Sequence, residues 1–116
     1  MQYIKGSNRQ PIEMTRGDSE VFQISIMNNG SIYHPQTGDV VRFAMRRKRL
    51  PYIVYPPAVL IEKEIPHDTM QLVFEPEDTK GLPIGRYVYD MRITFADGRV
   101  KTFVRLSPFI LKEEVE

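Results

Sequence analysis

Apolar and polar residues alternate most clearly over 85–106, near the C-terminal end of the chain. The odd positions of the first half carry large apolar side chains: Tyr87, Tyr89, Met91, Ile93 and Phe95. Successive strand side chains point to opposite faces, so this pattern predicts a strand with one apolar face. Asp97-Gly98 then predicts a type I′ turn. The second arm is predicted to place four residues on its apolar face: Val100, Thr102, Val104 and Leu106.

Shorter segments with the same alternation, most of them separated by turn residues, make up the rest of the chain. They cover 10–14, 20–27, 39–48, 59–64, 70–74 and 109–111. Pro76, the acids after it and Gly81 predict a single helical turn. Seven or eight short strands predict an all-β fold, specifically an antiparallel immunoglobulin-like β-sandwich with one short helical turn. A small barrel is the second choice. One of the tyrosines after the helical turn is expected to bond back to the backbone.

The length of 116 residues fits one domain, so the whole range 1–116 is predicted to be a single β-sandwich. Residues 1–8 are predicted to be a loose arm, 32–38 a connection, and 112–116 an acidic tail. The chain has no cysteine, which excludes disulfides and a cysteine nucleophile and fits a reducing cytoplasm. The start has no apolar stretch typical of a signal peptide, and no segment is long enough to span a membrane.

The charge balance gives no sign of a nucleic-acid or membrane partner, and the absence of catalytic motifs argues against an enzyme. Sixteen basic and 15 acidic residues give a net charge of +1, which supplies no global attraction to nucleic acid or anionic membrane. We find no G-x-S-x-G motif and no phosphate-binding glycine loop, and we expect no catalytic residue, cofactor or metal. His34 and His67 are expected to be solvated turn residues, because metal sites need three or four convergent donors. The acids Glu75, Glu77 and Asp78 are expected to cap the helical turn rather than bind calcium.

The segment over 46–57 is the most unusual part of the chain, because a basic run leads into an apolar stretch with three prolines. Exposed apolar residues in a proline-stiffened loop commonly mark a protein–protein contact. Five residues are therefore predicted to contact a partner: Arg47, Leu50, Tyr52, Ile53 and Tyr55. The alternative is that these groups pack into the protein's own core. The arm over 1–8 is a second predicted contact, which would add a strand to a partner's sheet edge.

Two other functions remain open. A carbohydrate-binding module would use Tyr33, Tyr52 and Tyr55 as an aromatic platform, although the chain has no tryptophan. A nucleic-acid-binding accessory protein would use Arg46–Arg49 to neutralise phosphates, with the nearby tyrosines stacking on bases. A run of cations at a strand end more often protects a sheet edge, so nucleic acid is the less favoured partner.

Several stretches resemble a known family. They are TRGD at 15–18, VRFAMRR at 41–47, FEPEDTKGLPIGRYVYD at 74–90, DGRVKT at 97–102 and FILKEEV at 109–115. Together they resemble small β-sandwich proteins of tailed phages and prophages of Gram-positive bacteria, and the immunoglobulin-like N-terminal module of phage baseplate upper proteins.

The resemblance implies a non-enzymatic virion structural or assembly protein of the tail, baseplate or neck. Such a protein would be made in the bacterial cytoplasm, would enter the virion, and would contact other phage structural proteins. It is also expected to form a homo-oligomer. Because the sequence stops at Glu116, a free-standing subunit or decoration is expected rather than a baseplate adaptor.

Overall fold

The structure, a computed structural model, describes residues 2–6, 10–28, 30–48 and 58–114. The fold is all-β, as predicted, with nine strands and one short helix in these ranges. In chain order they are β1 Gln2–Gly6, β2 Ile12–Thr15, β3 Glu20–Asn28, β4 Ser31–Tyr33, β5 Val40–Arg47, β6 Val59–Ile65, β7 Gln71–Phe74, α1 Pro76–Lys80, β8 Gly85–Thr94 and β9 Val100–Lys112.

The strands form two sheets. In the four-stranded sheet, β3 pairs in parallel with β1 along one side and antiparallel with β4 and β7 along the other. The five-stranded sheet has the order β2-β9-β8-β5-β6. Its pairs are antiparallel except for β2 with β9, which run in parallel. The first two strands of the chain therefore belong to different sheets.

One aromatic cluster joins the two sheets. Phe74 of β7 lies edge-on against Phe43 of β5 and contacts Phe109 of β9, with ring centroids 5.5 Å and 5.7 Å away. Phe43 also stacks on Tyr89 of β8. All four side chains are fully buried. The inward residues of both sheets thus share a single apolar core, and burial of that surface is the main stabilising contribution to the fold.

The N-terminal arm is the first difference from the sequence prediction. Instead of a loose arm, Gln2–Gly6 forms β1 and pairs with 22–26 of β3. Ile4 is buried in the core, so the segment gains both backbone hydrogen bonds and apolar burial. The first two residues of the predicted connection 32–38, Ile32 and Tyr33, belong to the short strand β4 beside β3. These two strands are additional to the predicted set, whereas the second hairpin arm and the segment 109–111 are one strand, β9, so the described residues contain nine strands.

The hairpin turn also differs from the prediction. Gly98 has a φ of +93°, whereas Asp97 does not have the positive φ that a type I′ turn requires. The Gly98 N–H donates to the Phe95 carbonyl, so Ala96 and Asp97 are the central residues of the turn. The Asp97 carboxylate accepts the Arg99 N–H, and this local bond stabilises the alternative geometry. The turn is therefore one in which Gly98 follows the central pair.

The predicted inward face of the second arm is wrong at three of its four residues, since Val100, Thr102 and Leu106 are exposed and only Val104 is buried. Val100 and Leu106 are 60% and 51% exposed, while Phe103 is buried. The register between β8 and β9 shifts on both sides of Met91, and each shift adds an unmatched residue to β9. Each extra residue exchanges the inward and outward positions that follow it. The strand also continues beyond the predicted range 85–106, through Pro108 and the segment 109–111, as far as Lys112.

We predict that Gly38→Ala destabilises the protein. Gly38 has a φ of +98°, and a Cβ there would lie 3.1 Å from the Cβ of Ala96 in the β8–β9 turn. The free energy of unfolding should fall by about 1–3 kcal/mol, because alanine is strained at this φ. Chemical denaturation followed by circular dichroism measures the change. Gly81→Ala is the matched control, because Gly81 has a φ of −87° and open space around it. Equal losses in the two variants would contradict the prediction.

Candidate functional site

Only one of the five predicted contact residues lies in the described part of the chain. Arg47 ends β5, is exposed, and pairs in register with Tyr87 of β8. The other four, Leu50, Tyr52, Ile53 and Tyr55, lie outside the described residues, so the contact set stays a prediction. Within the basic run, Lys48 is exposed and Arg46 is partly buried, and Arg49 is outside the described ranges.

A shallow hollow lies on the outer face of the five-stranded sheet, opposite the core. Its volume is about 290 Å³. Ala44 of β5 and Asp90 of β8 are cross-strand partners near its centre. These short side chains are surrounded by longer ones, which accounts for the depression. The lining residues come from four strands: Arg42, Ala44, Arg46, Val59, Glu62, Asp90, Arg92, Thr94 and Val100.

Charged groups are paired within this hollow. Asp90 is only 6% exposed. Its two carboxylate oxygens lie 3.3 Å from Arg92 Nη2 and 4.0 Å from Arg46 Nη1. On the neighbouring strand, Arg42 Nη1 donates to Glu62 Oε1 at 3.1 Å. The hollow therefore contains three arginines and two carboxylates, and one of these carboxylates is buried between two guanidinium groups.

Sequence reasoning did not identify this hollow. Alternation alone places Arg42, Ala44 and Arg46 on one face of β5, and Asp90 and Arg92 on one face of β8. The two strands are separated in sequence by β6, β7 and α1. Their pairing is a tertiary feature, so no local signal could have shown that these side chains lie together.

The TRGD turn and the helix meet at one end of the fold. The Gly17 N–H donates to Thr79 Oγ1 at 2.8 Å, and Thr79 is fully buried in α1. Arg16 donates to the Leu82 carbonyl through Nη1 and to Glu114 Oε1 through Nε. Gly17 has a positive φ of +82°, which glycine adopts readily. The motif therefore connects the β2–β3 turn to the α1–β8 segment.

Two of the three acids, Glu75 and Asp78, have the predicted capping role, and Glu77 lies in the first turn of α1. The Glu75 N–H donates to Asp78 Oδ2 at 2.7 Å, and Pro76 occupies the first turn of α1. Asp78 Oδ2 also accepts from Lys63 Nζ of β6 at 2.6 Å. The helix is therefore fixed both to its own N-terminus and to the edge of the five-stranded sheet.

Two tyrosines of β8 donate hydrogen bonds from their hydroxyl groups to backbone carbonyls outside the strand. The Tyr87 hydroxyl donates to the Pro83 carbonyl, four residues upstream, which confirms the predicted return bond. The Tyr89 hydroxyl donates to the carbonyl of Gln10, just before β2. Burial of Tyr89 raises the pKa of its phenol far above the ordinary value. The first bond fixes the entry into β8, and the second ties β8 to the start of β2.

Asp39 organises a loop beside the β8–β9 turn. Its Oδ2 accepts from the Gln36 N–H at 2.9 Å and from the Tyr33 hydroxyl at 2.7 Å, and its Oδ1 accepts from the Ala96 N–H at 3.1 Å. The Gln36 N–H and then the Tyr33 hydroxyl lower the pKa of the Asp39 carboxyl. The hydrogen bond between the Tyr33 hydroxyl and Asp39 also raises the pKa of Tyr33. Asp39 therefore acts as a structural anchor between two loops.

We predict that Asp39→Asn removes a pH-dependent part of the stability. All three groups facing Asp39 are donors, so an amide NH₂ would face donors where the carboxylate accepts bonds. Because the folded-state pKa lies below the ordinary 3.8, the stabilisation is present above pH 3.8 and is lost as the pH falls through the folded-state pKa. Thermal unfolding from pH 7 to pH 2 measures this. The melting temperatures of the unmodified protein and of the Asp39→Asn variant should differ at pH 7 and converge in acid. Asp18→Asn, at an exposed turn residue, is the control. If the melting temperatures of the unmodified protein and the Asp39→Asn variant differ by the same amount at every pH, the prediction is contradicted.

The alternative sites receive no new support. Tyr33 uses its hydroxyl on Asp39 and its ring on Phe95, at a centroid distance of 5.7 Å, so it is not a free sugar platform. His34 and His67 are both exposed. Within the described ranges, no three His, Asp or Glu side chains converge as metal ligands. No helix in the described part of the chain is long and apolar enough to cross a bilayer.

Comparison with known proteins finds no family model and no curated protein that matches this sequence.

Proposed function

We propose that this protein is a non-enzymatic structural or assembly protein of a tailed phage or prophage virion, acting through protein–protein contacts. Its position would be in the tail, baseplate or neck, after synthesis in the bacterial cytoplasm. The observation that carries the proposal is the contact between two stretches of the resemblance, 15–18 and 74–90, through Gly17 and Thr79. Two of the stretches that carry the resemblance are thus in direct contact, which supports treating them as parts of one unit.

The finer fold proposed is an immunoglobulin-like β-sandwich. Three features support it: the strand order β9-β8-β5-β6, the parallel pairing of β2 with β9, and the Tyr87 hydroxyl bond to the Pro83 carbonyl. A tyrosine near the start of a strand that bonds a few residues upstream is a hallmark of such folds. The parallel pairing of β1 with β3 is an elaboration on that plan.

Protein contacts are supported by the surface of the five-stranded sheet. Its outer face combines arginines with the exposed apolar residues Val59 and Val100. Arginine is enriched at protein interfaces, where its planar group both stacks and donates several hydrogen bonds. We propose other structural proteins of the particle and further copies of this chain as the partners.

Purified tailed particles from a bacterium that carries the gene provide the direct test. Mass spectrometry should detect the protein at a reproducible ratio to the major tail protein, and the ratio should survive density-gradient purification. Loss of the protein during purification, with the tail protein retained, would contradict a virion role.

The expected self-association has a separate test. Size-exclusion chromatography with light scattering, over a concentration series, should give the mass of a discrete closed oligomer, as a cyclic interface requires. A monomeric mass at every concentration would contradict the homo-oligomer and leave heterologous partners as the only contacts of the proposal.

A further inference from the structure

The geometry points to the outer hollow of the five-stranded sheet as a docking site for an acidic segment of a partner protein that also carries aliphatic side chains. This inference rests on the proposed function, because it names the chemistry of one of its protein contacts.

Two of the three arginines of the hollow, Arg46 and Arg92, are paired with Asp90, and Arg42 is paired with Glu62. The buried carboxylate of Asp90 accepts from Arg92 and lies near Arg46, and these three side chains are thereby restrained together. Each guanidinium has five N–H donors in a fixed fork, and a contact with one carboxylate leaves donors that can bind a second anion. Restrained cations lose less side-chain entropy when a ligand binds, so this arrangement favours a carboxylate approaching from solvent.

Charge complementarity selects an acidic ligand. Three arginines face two carboxylates in the lining, so the hollow has a net charge of +1. One of those carboxylates, Asp90, is buried beneath the cations and is largely shielded from a ligand. Arg42 and Arg92 have more than half of their side chains exposed, so they are the cations a ligand reaches first.

The apolar residues of the hollow select a protein rather than a nucleic acid. Val59 on β6 and Val100 on β9 are 38% and 60% exposed, and these strands flank the pair that bears the arginines. Aliphatic side chains of a peptide can pack on both valines while its carboxylates meet the guanidinium groups. Glu62 is half-exposed in the same wall and would repel a continuous phosphate backbone.

Fluorescence anisotropy with defined peptides tests the site on the full chain. The probe is a labelled peptide of alternating glutamate and leucine; a glutamine–leucine peptide and a glutamate–serine peptide report the acidic and the aliphatic requirement separately. The glutamate–leucine peptide should bind most tightly, weaken with salt, and shift the amide resonances of Ala44, Asp90 and Arg92.

A double variant and its matched control identify the residues. Arg42→Gln with Arg92→Gln should weaken binding of the glutamate–leucine peptide roughly tenfold, equivalent to about 1.4 kcal/mol. Lys80→Gln with Arg99→Gln changes the net charge equally at exposed positions outside the hollow, and should leave binding within roughly twofold. Circular dichroism melts establish that both variants are folded.

Several outcomes would overturn the inference. They are no binding of the glutamate–leucine peptide, equal binding of the glutamine–leucine peptide, or equal losses in the two double variants. Tighter binding of an oligothymidylate strand would instead assign the hollow to nucleic acid. Loss of self-association in the Arg42 and Arg92 variant without peptide binding would assign it to a second copy of the chain. Detection of the protein in purified particles does not depend on these results, so the proposed function can stand if this site fails.

Discussion

Replacing Phe74 with alanine is expected to lower the free energy of unfolding by about 3–5 kcal/mol. Phe74 is fully buried, and its ring contacts Phe22 in its own sheet and Phe43 and Phe109 in the other. The truncation would remove apolar burial and leave a cavity at the junction of the two sheets. Because domains of this size have a total stability of about 5–15 kcal/mol, the loss is a large fraction of it.

Urea denaturation followed by far-UV circular dichroism measures the effect of the Phe74 change. Val73→Ala is the matched control, since Val73 is the adjacent residue of β7 and faces solvent with 38% of its surface exposed. Its loss should be below about 1 kcal/mol. Phe74→Leu retains most of the apolar volume and should lie between the two, which keeps the test usable if the alanine variant does not fold. Equal losses at 73 and 74 would contradict a shared core.

Replacing Thr79 with valine is expected to cost about 1–3 kcal/mol of stability. Valine has nearly the shape of threonine but no hydroxyl, so the Gly17 N–H would lose its acceptor at 2.8 Å. The bond joins the β2–β3 turn to α1, and its loss should also speed hydrogen exchange at the Gly17 amide. Denaturation and exchange monitored by nuclear magnetic resonance measure the two effects.

Thr102→Val provides the comparison for the Thr79 variant. Thr102 is an exposed residue of β9, so exchanging its hydroxyl for a methyl group should not lower stability. If Thr79→Val has the stability of the unmodified protein and Gly17 exchanges at its original rate, the turn does not depend on this hydroxyl.

Local alternation predicted most of the strands that build the core. The inward residues of β5, Val41, Phe43 and Met45, have no exposed surface, and the four odd positions Tyr87 to Ile93 of β8 are all buried. This success has a simple cause: the period of two along a strand is a property of neighbouring residues. The capping acids of α1 were predictable for the same reason, because a helix cap depends on a few adjacent residues.

Features that depend on pairing between distant segments were not predictable. The bulges beside Met91 moved Val100 and Leu106 to exposed positions and brought Phe103 into the core. The local pattern of β9 does not show the two positions at which β9 has one residue more than the facing segment of β8. Likewise, β1 has no strong alternation of its own, and its position depends on its pairing with one edge of β3.

The same distinction between local and long-range features applies to the candidate contact surfaces. Of the contact residues predicted from composition, Arg47 is exposed at the end of β5, and the set over 50–55 lies outside the described residues. The arginine hollow was not predicted, because Arg42 and Arg92 become cross-strand partners only when β5 pairs with β8.

By itself, the sequence determined the all-β class, the inward face of most strands and the helical turn. Only the tertiary structure decided which strands are neighbours, where the register shifts, and which charges face one another across strands. The physical reason is that side-chain alternation and turn preference act over a few residues, whereas strand pairing is selected by the core as a whole.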